Sequence, residues 1–406
     1  MRSVGRPRIG VVVGLLLLSG AVHASDVGRC GVCHSDIRVQ FDAGIHKSEG
    51  FACVNCHGGN PASDDMKIAH GGSFKGVPGR REIPPLCASC HSNIELMKPY
   101  NLATDQYALY QSSQHGRLLA QGNPDVAVCT DCHGTHEIRP RSDPQSSVNI
   151  TNIPKTCGRC HSDAKIIAKY KLPSDPSAEY YGSVHAAALY KAGNLNSPDC
   201  SRCHGVHGAA PPGVGDVSKV CGQCHATARR YFDMSPHKEA LAAGGNPECA
   251  SCHSNHAIAP ADDKVLETTC HSCHEPGSTA LGVATQIEAE IARARVGVRE
   301  AEKLVEEAEE VPLEVDDYRS RLEDARTYLT EALPVVHSFS VKEVRDVTGR
   351  ATSISEEVSV EVQEKIDRLR WRRYGLIIFW FYILVTIALL VRWRYGLEKS
   401  APGAGA

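Results

Sequence analysis

The chain has 406 residues, a formal charge of −3 and only 6% aromatic residues, alongside 35 glycines, 22 prolines and 18 cysteines. Its length allows two or three domains, but so few aromatics among so many chain-turning residues argue against one ordinary hydrophobic core. With the main arginine clusters at the chain ends and no basic patch with interleaved aromatics between them, the composition speaks against a nucleic-acid partner.

Residues 1–24 read as an export signal. Arg2, Arg6 and Arg8 precede an apolar run from Ile9 to Leu18, and Val22-His23-Ala24 offers a small-residue cleavage site. The run falls well short of the roughly 20 residues a spanning helix needs. Cleavage is therefore expected, with a mature start at Ser25.

From Cys30 onward every cysteine belongs to a C-x-x-C-H run. The pairs are Cys30 and Cys33, Cys53 and Cys56, Cys87 and Cys90, Cys129 and Cys132, Cys157 and Cys160, Cys200 and Cys203, Cys221 and Cys224, Cys249 and Cys252, and Cys270 and Cys273. The histidines that follow them are His34, His57, His91, His133, His161, His204, His225, His253 and His274. This spacing is the c-type haem attachment signal: two thiols bond to the two vinyl groups and the adjacent imidazole becomes the proximal iron ligand. Zinc and disulfides also use paired cysteines, yet neither calls for a histidine after every pair. Nine covalent haem c groups are expected, with roughly 28 residues per motif between Ser25 and Gly277, so the macrocycles should supply much of the apolar core. Their propionates would add up to about −18 of charge if all ionised.

After the unpaired first motif the chain repeats a unit of two motifs. The second unit reads Ser113-Gln114-His115, Gly122-Asn123-Pro124, CTDCHGTH, then Ile153-Pro154 and CGRCH. The third and fourth carry Ser183-Val184-His185 and Ser235-Pro236-His237, with CSRCHGVH and CASCHSNH. In the first unit Gly44-Ile45-His46 replaces the serine pattern, and Asn60 stands where a second histidine is expected, with His70 ten residues later. Recurrence at matching places marks His46, His70, His115, His136, His185, His207, His237 and His256 as distal iron ligands. Each serine is expected to cap a short helix whose first turn holds the histidine. Met66, Met97 and Met234 do not recur and read as packing. Eight distal histidines serve nine irons. His271 and His337 are the candidates for the last place, and His337, just past Pro334, is the one assigned.

Beyond Thr285 the composition changes to long helix formers. Ile287, Ile291, Ala294, Val298, Ala301, Val305 and Ala308 keep helical spacing, as do Val344, Val347, Ala351, Ile354, Val358, Ile366 and Leu369. A helical hairpin or three-helix bundle over 281–373 is expected, broken at Pro312 and Pro334. Glu306, Glu307, Glu309 and Glu310 read as a solvated face. Tyr374 to Val391 then gives 18 residues without a charge, about 27 Å of helix and enough to cross a membrane. Trp371, Tyr374, Trp393 and Tyr395 suit the two interfacial belts. Arginines flank both ends, so orientation follows from the export signal: haems outside the cytoplasmic membrane in the periplasm, residues 392–406 in the cytoplasm. The fold class is mainly α with many loops, arranged as a signal (1–24), a haem domain (25–280), a helical stalk (281–373), a span (374–391) and a tail.

The S-x-H, C-x-x-C-H-x-x-H and C-x-x-C-H order over about residues 28 to 277 resembles the exported multihaem c-type cytochromes of bacterial respiratory chains. That resemblance implies closely packed haems, mostly with two histidine ligands, passing electrons along a row. The helices after the last motif are similar to the C-terminal regions of the hydroxylamine oxidoreductase and pentahaem nitrite reductase families. Tetrahaem quinol dehydrogenases share membrane anchoring, but their anchor is N-terminal. Two functions follow. One is an electron conduit without catalytic residues, linking a quinol-oxidising or cytochrome b-type membrane subunit to periplasmic acceptors, including other multihaem cytochromes, and able to oligomerise through its stalk. The other is a haem-dependent oxidoreductase acting on nitrite, hydroxylamine, tetrathionate or a similar small compound at an iron with an open axial site. No C-x-x-C-K motif, the mark of many nitrite reductases, occurs.

Overall fold

The computed structural model describes residues 28–172, 175–208, 217–244, 248–260 and 265–400. The export signal, the Gly245-Asn246-Pro247 turn and residues 401–406 of the tail lie outside them. Among the described residues the chain is helical, with many short helices and loops and no strand. It divides into two compact units, residues 28–181 with 185–208, and residues 182–184 with 217–400. The second therefore joins three attachment motifs to the helical region that composition sets apart near residue 280.

The first motif of each pair is a single helical turn, Cys53–His57, Cys129–His133, Cys200–His204 and Cys249–His253. The chain enters extended at the preceding residue. A turn this short leaves its first N–H groups without helical partners, and the residue before the second cysteine supplies the remedy. Asn55 Oδ1 accepts from the Ala52 N–H at 2.7 Å, Asp131 Oδ2 from Val128 N–H at 2.7 Å, and Ser251 Oγ from Glu248 N–H at 3.2 Å. In the third unit the roles reverse, and Asp199 Oδ1 accepts from Arg202 N–H at 2.9 Å. Each turn ends on a left-handed residue, Gly58 (φ 67°), Gly134 (82°), Gly205 (82°) and Ser254 (64°). Only glycine takes that conformation without a Cβ penalty. The second motifs of the first two pairs end longer helices, Ile83–His91 and Ile153–His161, each with proline in the first turn where no N–H is needed.

The distal-histidine helices also repeat. Ser113 is fully buried; its Oγ accepts from Gly116 N–H at 3.0 Å and donates to Tyr110 O at 2.6 Å. Ser235 holds the same cap position but only donates back, to Phe232 O at 2.7 Å. Gly44 takes the serine's place because a Cβ there would come 2.8 Å from the His136 carbonyl oxygen. At that contact Ile45 N–H donates to Ile138 O at 2.8 Å, and Val184 N–H of the third repeat donates to Ile258 O of the fourth at 2.9 Å, the equivalent pair.

Three long helices, Thr279–Glu309, Asp316–Val335 and Val341–Ser400, form the bundle. All seven periodic residues of the first are buried, and the third adds Val362 to the apolar series read from the sequence. Fully burying a valine or isoleucine is worth about 1.5–3 kcal/mol, so these layers hold the bundle without help from its surface ion pairs. Pro312 lies in the first connection. Pro334 sits inside the last turn of the second helix, where it removes one N–H bond to the carbonyl four residues back, and the helix ends one residue later. Glu306, Glu307, Glu309 and Glu310 are exposed. The third helix continues unbroken through Tyr374 to Val391, and this stretch is long and apolar enough to cross a membrane.

Candidate haem-binding site

Seven attachment-motif histidines each face one other imidazole. His34 lies 6.2 Å from His70, His91 6.1 Å from His46, His57 6.3 Å from His136, His161 6.2 Å from His115, and His133 6.1 Å from His207, centre to centre. In the compact unit that holds residues 217–400, His274 lies 6.1 Å from His237 and His253 5.9 Å from His337. An iron placed between two trans imidazoles, about 2 Å from each nitrogen and roughly 1.1 Å more to each ring centre, would separate the rings by about 6.2 Å. The residues therefore fit the group.

The pairs obey a rule. Among these seven, His46, His115 and His237 face the second motif of their own repeat, and His136 and His207 face the first motif of the repeat before. His70 serves the unpaired first motif. It reaches His34 because Gly58 and Gly59 let residues 58–74 fold back tightly: a Cβ on either would come 2.1 Å from Ser73 O or 2.5 Å from Ala69 O. Asn60 closes that loop, its N–H donating to Ala69 O at 2.9 Å.

Two rings show how their orientation is set. His57 Nδ1 lies 2.9 Å from Gly76 O and His337 Nδ1 3.1 Å from Pro334 O. An Nδ1–H donated to a carbonyl leaves Nε2 free as a ligand, the arrangement metal-binding histidines commonly use. Burial favours the neutral form that ligation requires in several of the paired rings, His337 among them. It lowers His133 to about 4, with His207 adding to the effect, and lowers His46, His115 and His253 as well. His271 is exposed. His185, His204, His225 and His256 sit in their repeat positions, two in attachment motifs and two in distal places.

None of the eighteen cysteines is joined to another in a disulfide. Consecutive motifs adjoin: helix Ile83–His91 packs on Cys129–His133, Ile153–His161 on Cys200–His204, and Val217–Gly222 on Cys249–His253. At these contacts Cys87 hydrogen-bonds Cys129 and Cys157 hydrogen-bonds Cys200, which holds Cys87 and Cys157 far above an ordinary thiol. Cys221 does the same to Cys249. Arg29 N–H donates to Pro61 O at 2.8 Å, tying the first motif to the second, and Arg159 Nη2 donates to Asp131 O at 2.8 Å, tying the fifth to the fourth. Burial pushes Cys132 up to about 11, with Cys157 beside it.

Some supporting residues went unread in the sequence although a signal was there. An aromatic stands three before each cap residue: Phe41, Tyr110, Tyr180 and Phe232. Tyr110 and Tyr180 donate their hydroxyls to Ala127 O and Pro198 O, both at 2.9 Å, each two residues before a first-motif cysteine. They lock the distal helix to its own unit. Arg80 pairs with Asp131 at 2.5 Å and donates to Val126 O at 2.6 Å, a contact no spacing announces.

Residues 45–162 match the family model of cytochrome c3. The segment opens one residue before His46 and closes one after His161, enclosing two whole units and four attachment motifs. Over this segment the chain is similar to cytochrome c3, a multihaem c-type cytochrome family, and the likeness suggests covalently held haem and electron transfer. No curated protein and no solved structure matches the chain.

Proposed function

We propose that the chain is a membrane-anchored, periplasmic nonahaem c-type cytochrome that passes electrons between a quinol-oxidising membrane partner and periplasmic acceptors in respiration. The observation that carries this reading is the common 5.9–6.3 Å separation of seven imidazole pairs. Two histidines on an iron leave no axial position for substrate and favour a lower potential than histidine with methionine. The other two distal candidates, His185 and His256, equal in number the other two proximal ones, His204 and His225. The contacts from the second motif of one repeat to the first motif of the next support a relay that follows chain order. Because the adjoining cysteines bond to vinyl groups, neighbouring haems would meet at their thioether edges and turn their charged propionates elsewhere.

Haem supplies the one-electron iron couple; the chain orients imidazoles, excludes water and holds neighbours close. Intact mass of purified protein is expected to show nine haem additions on a chain starting at Ser25, and electron paramagnetic resonance of the oxidised form to show low-spin iron throughout. Replacing His337 by alanine is expected to make one haem high-spin with all nine still attached. A large high-spin signal in the unmodified protein, with rapid turnover of nitrite or hydroxylamine, would instead establish the reductase reading.

A further inference from the structure

We infer that the three-helix bundle is a spacer: it holds the haems of His253 and His274 tens of ångströms outside the membrane. Electrons entering or leaving the array at this end therefore pass through a protein partner whose redox centre lies outside the bilayer, not through quinol dissolved in it. The inference rests on the anchored-cytochrome reading above and names the kind of partner which that reading leaves open.

The bundle core forms three layers. Ile287, Ile291, Val335 and Val344 make the first, Ala294, Val298, Ala325 and Ala351 the second, and Ala301, Val305, Leu322, Val358, Val362 and Ile366, with others, the third. Only the first layer takes in residues from the motif-bearing part of the chain, Tyr231 and Leu266. The turn Val336–Ser338, which connects the second and third helices, lies at that same end. It brings His337 to His253, while Phe339 meets the His237 ring edge-on at 4.4 Å. The distal partners of both haems are thus gripped where the third helix begins.

From Val341 that helix runs without a proline to the apolar stretch beginning at Tyr374. Thirty-three residues at 1.5 Å each amount to about 50 Å. A helix tilted by 40°, the upper end of the usual range, would still rise about 38 Å. A bundle lying flat would need a sharp bend near Tyr374, and the unbroken helix has none of the prolines that commonly produce one. Electron exchange weakens exponentially with distance, so quinol in the apolar slab cannot reach these irons in one step. Each electron gained at either iron is one lost by a reduced centre of the partner that docks at this height, and the reverse holds for electrons leaving.

Single-particle imaging of the holoprotein in lipid nanodiscs tests this. The two irons are expected about 38–50 Å from the near edge of the disc's apolar core. Irons within about 20 Å of it would overturn the spacer, since the helical rise sets the longer distance. Failure of the parent reading looks different: high-spin iron at these sites would remove the ligand assignment at any height, and an apolar helix lying outside the disc would remove the anchor.

Discussion

Ser254 is the one non-glycine among the four residues that end the first-motif turns, and its φ of 64° puts a Cβ where an L-residue is strained. Gly58, Gly134 and Gly205 meet the same demand without that cost. Ser254→Gly is expected to stabilise the holoprotein by about 0.5–1 kcal/mol despite glycine's extra freedom when unfolded. A rise in the thermal midpoint checks it; a fall would mean that the serine hydroxyl outweighs the strain. Gly58 works the other way. A Cβ there would strike the Ser73 carbonyl at 2.1 Å, and backbone cannot yield as a flexible side chain does. Gly58→Ala is expected to displace the loop carrying His70 and make the haem of His34 high-spin, with covalent haem content unchanged. An unaltered low-spin spectrum would show that His70 is not that iron's ligand.

The bundle is held by its layers rather than its surface. Ile287 is fully buried in the layer that also receives Tyr231 and Leu266. Ile287→Ala is expected to cost about 2–5 kcal/mol through lost burial and the cavity left behind. Val360, 59% exposed on the third helix, is the control, and Val360→Ala should stay within about 0.5 kcal/mol. Helix loss on heating, followed by circular dichroism, separates the two. Surface pairs such as Arg321 with Glu357 and Glu361 are exposed on at least one side and contribute little by comparison. This part of the fold was legible because a helix repeats its buried face every three to four residues. The break expected at Pro334 falls one residue beyond it, where the second helix ends at Val335 and the Val336–Ser338 turn begins.

For the whole molecule, the two ends of the third helix have separate tasks: its start borders the His337 turn, and its far part is the apolar stretch. A chain ending at Arg370 keeps every attachment motif, every distal histidine and all three core layers. It is expected to leave the membrane fraction with haem content and spectrum unchanged. Persistent membrane association after salt washing would point to a second attachment elsewhere on the chain.

The C-x-x-C-H runs and their places were readable from the sequence alone because the signal is local: two thiols and an imidazole lie within five residues of backbone. The bundle's buried faces and its apolar extension were readable for a similar reason, since helical periodicity and an uncharged run are properties of adjacent residues. Which imidazole faces which was not. His136 meets His57 and His337 meets His253 across 79 and 84 residues of chain, and nothing in either neighbourhood names its partner. That choice belongs to tertiary structure. It is made by glycines that let one loop lie on another, by the Tyr110 and Tyr180 hydroxyls that tie two of the distal helices to their own repeats, and by a short turn between two long helices that delivers one more histidine than the repeat contains.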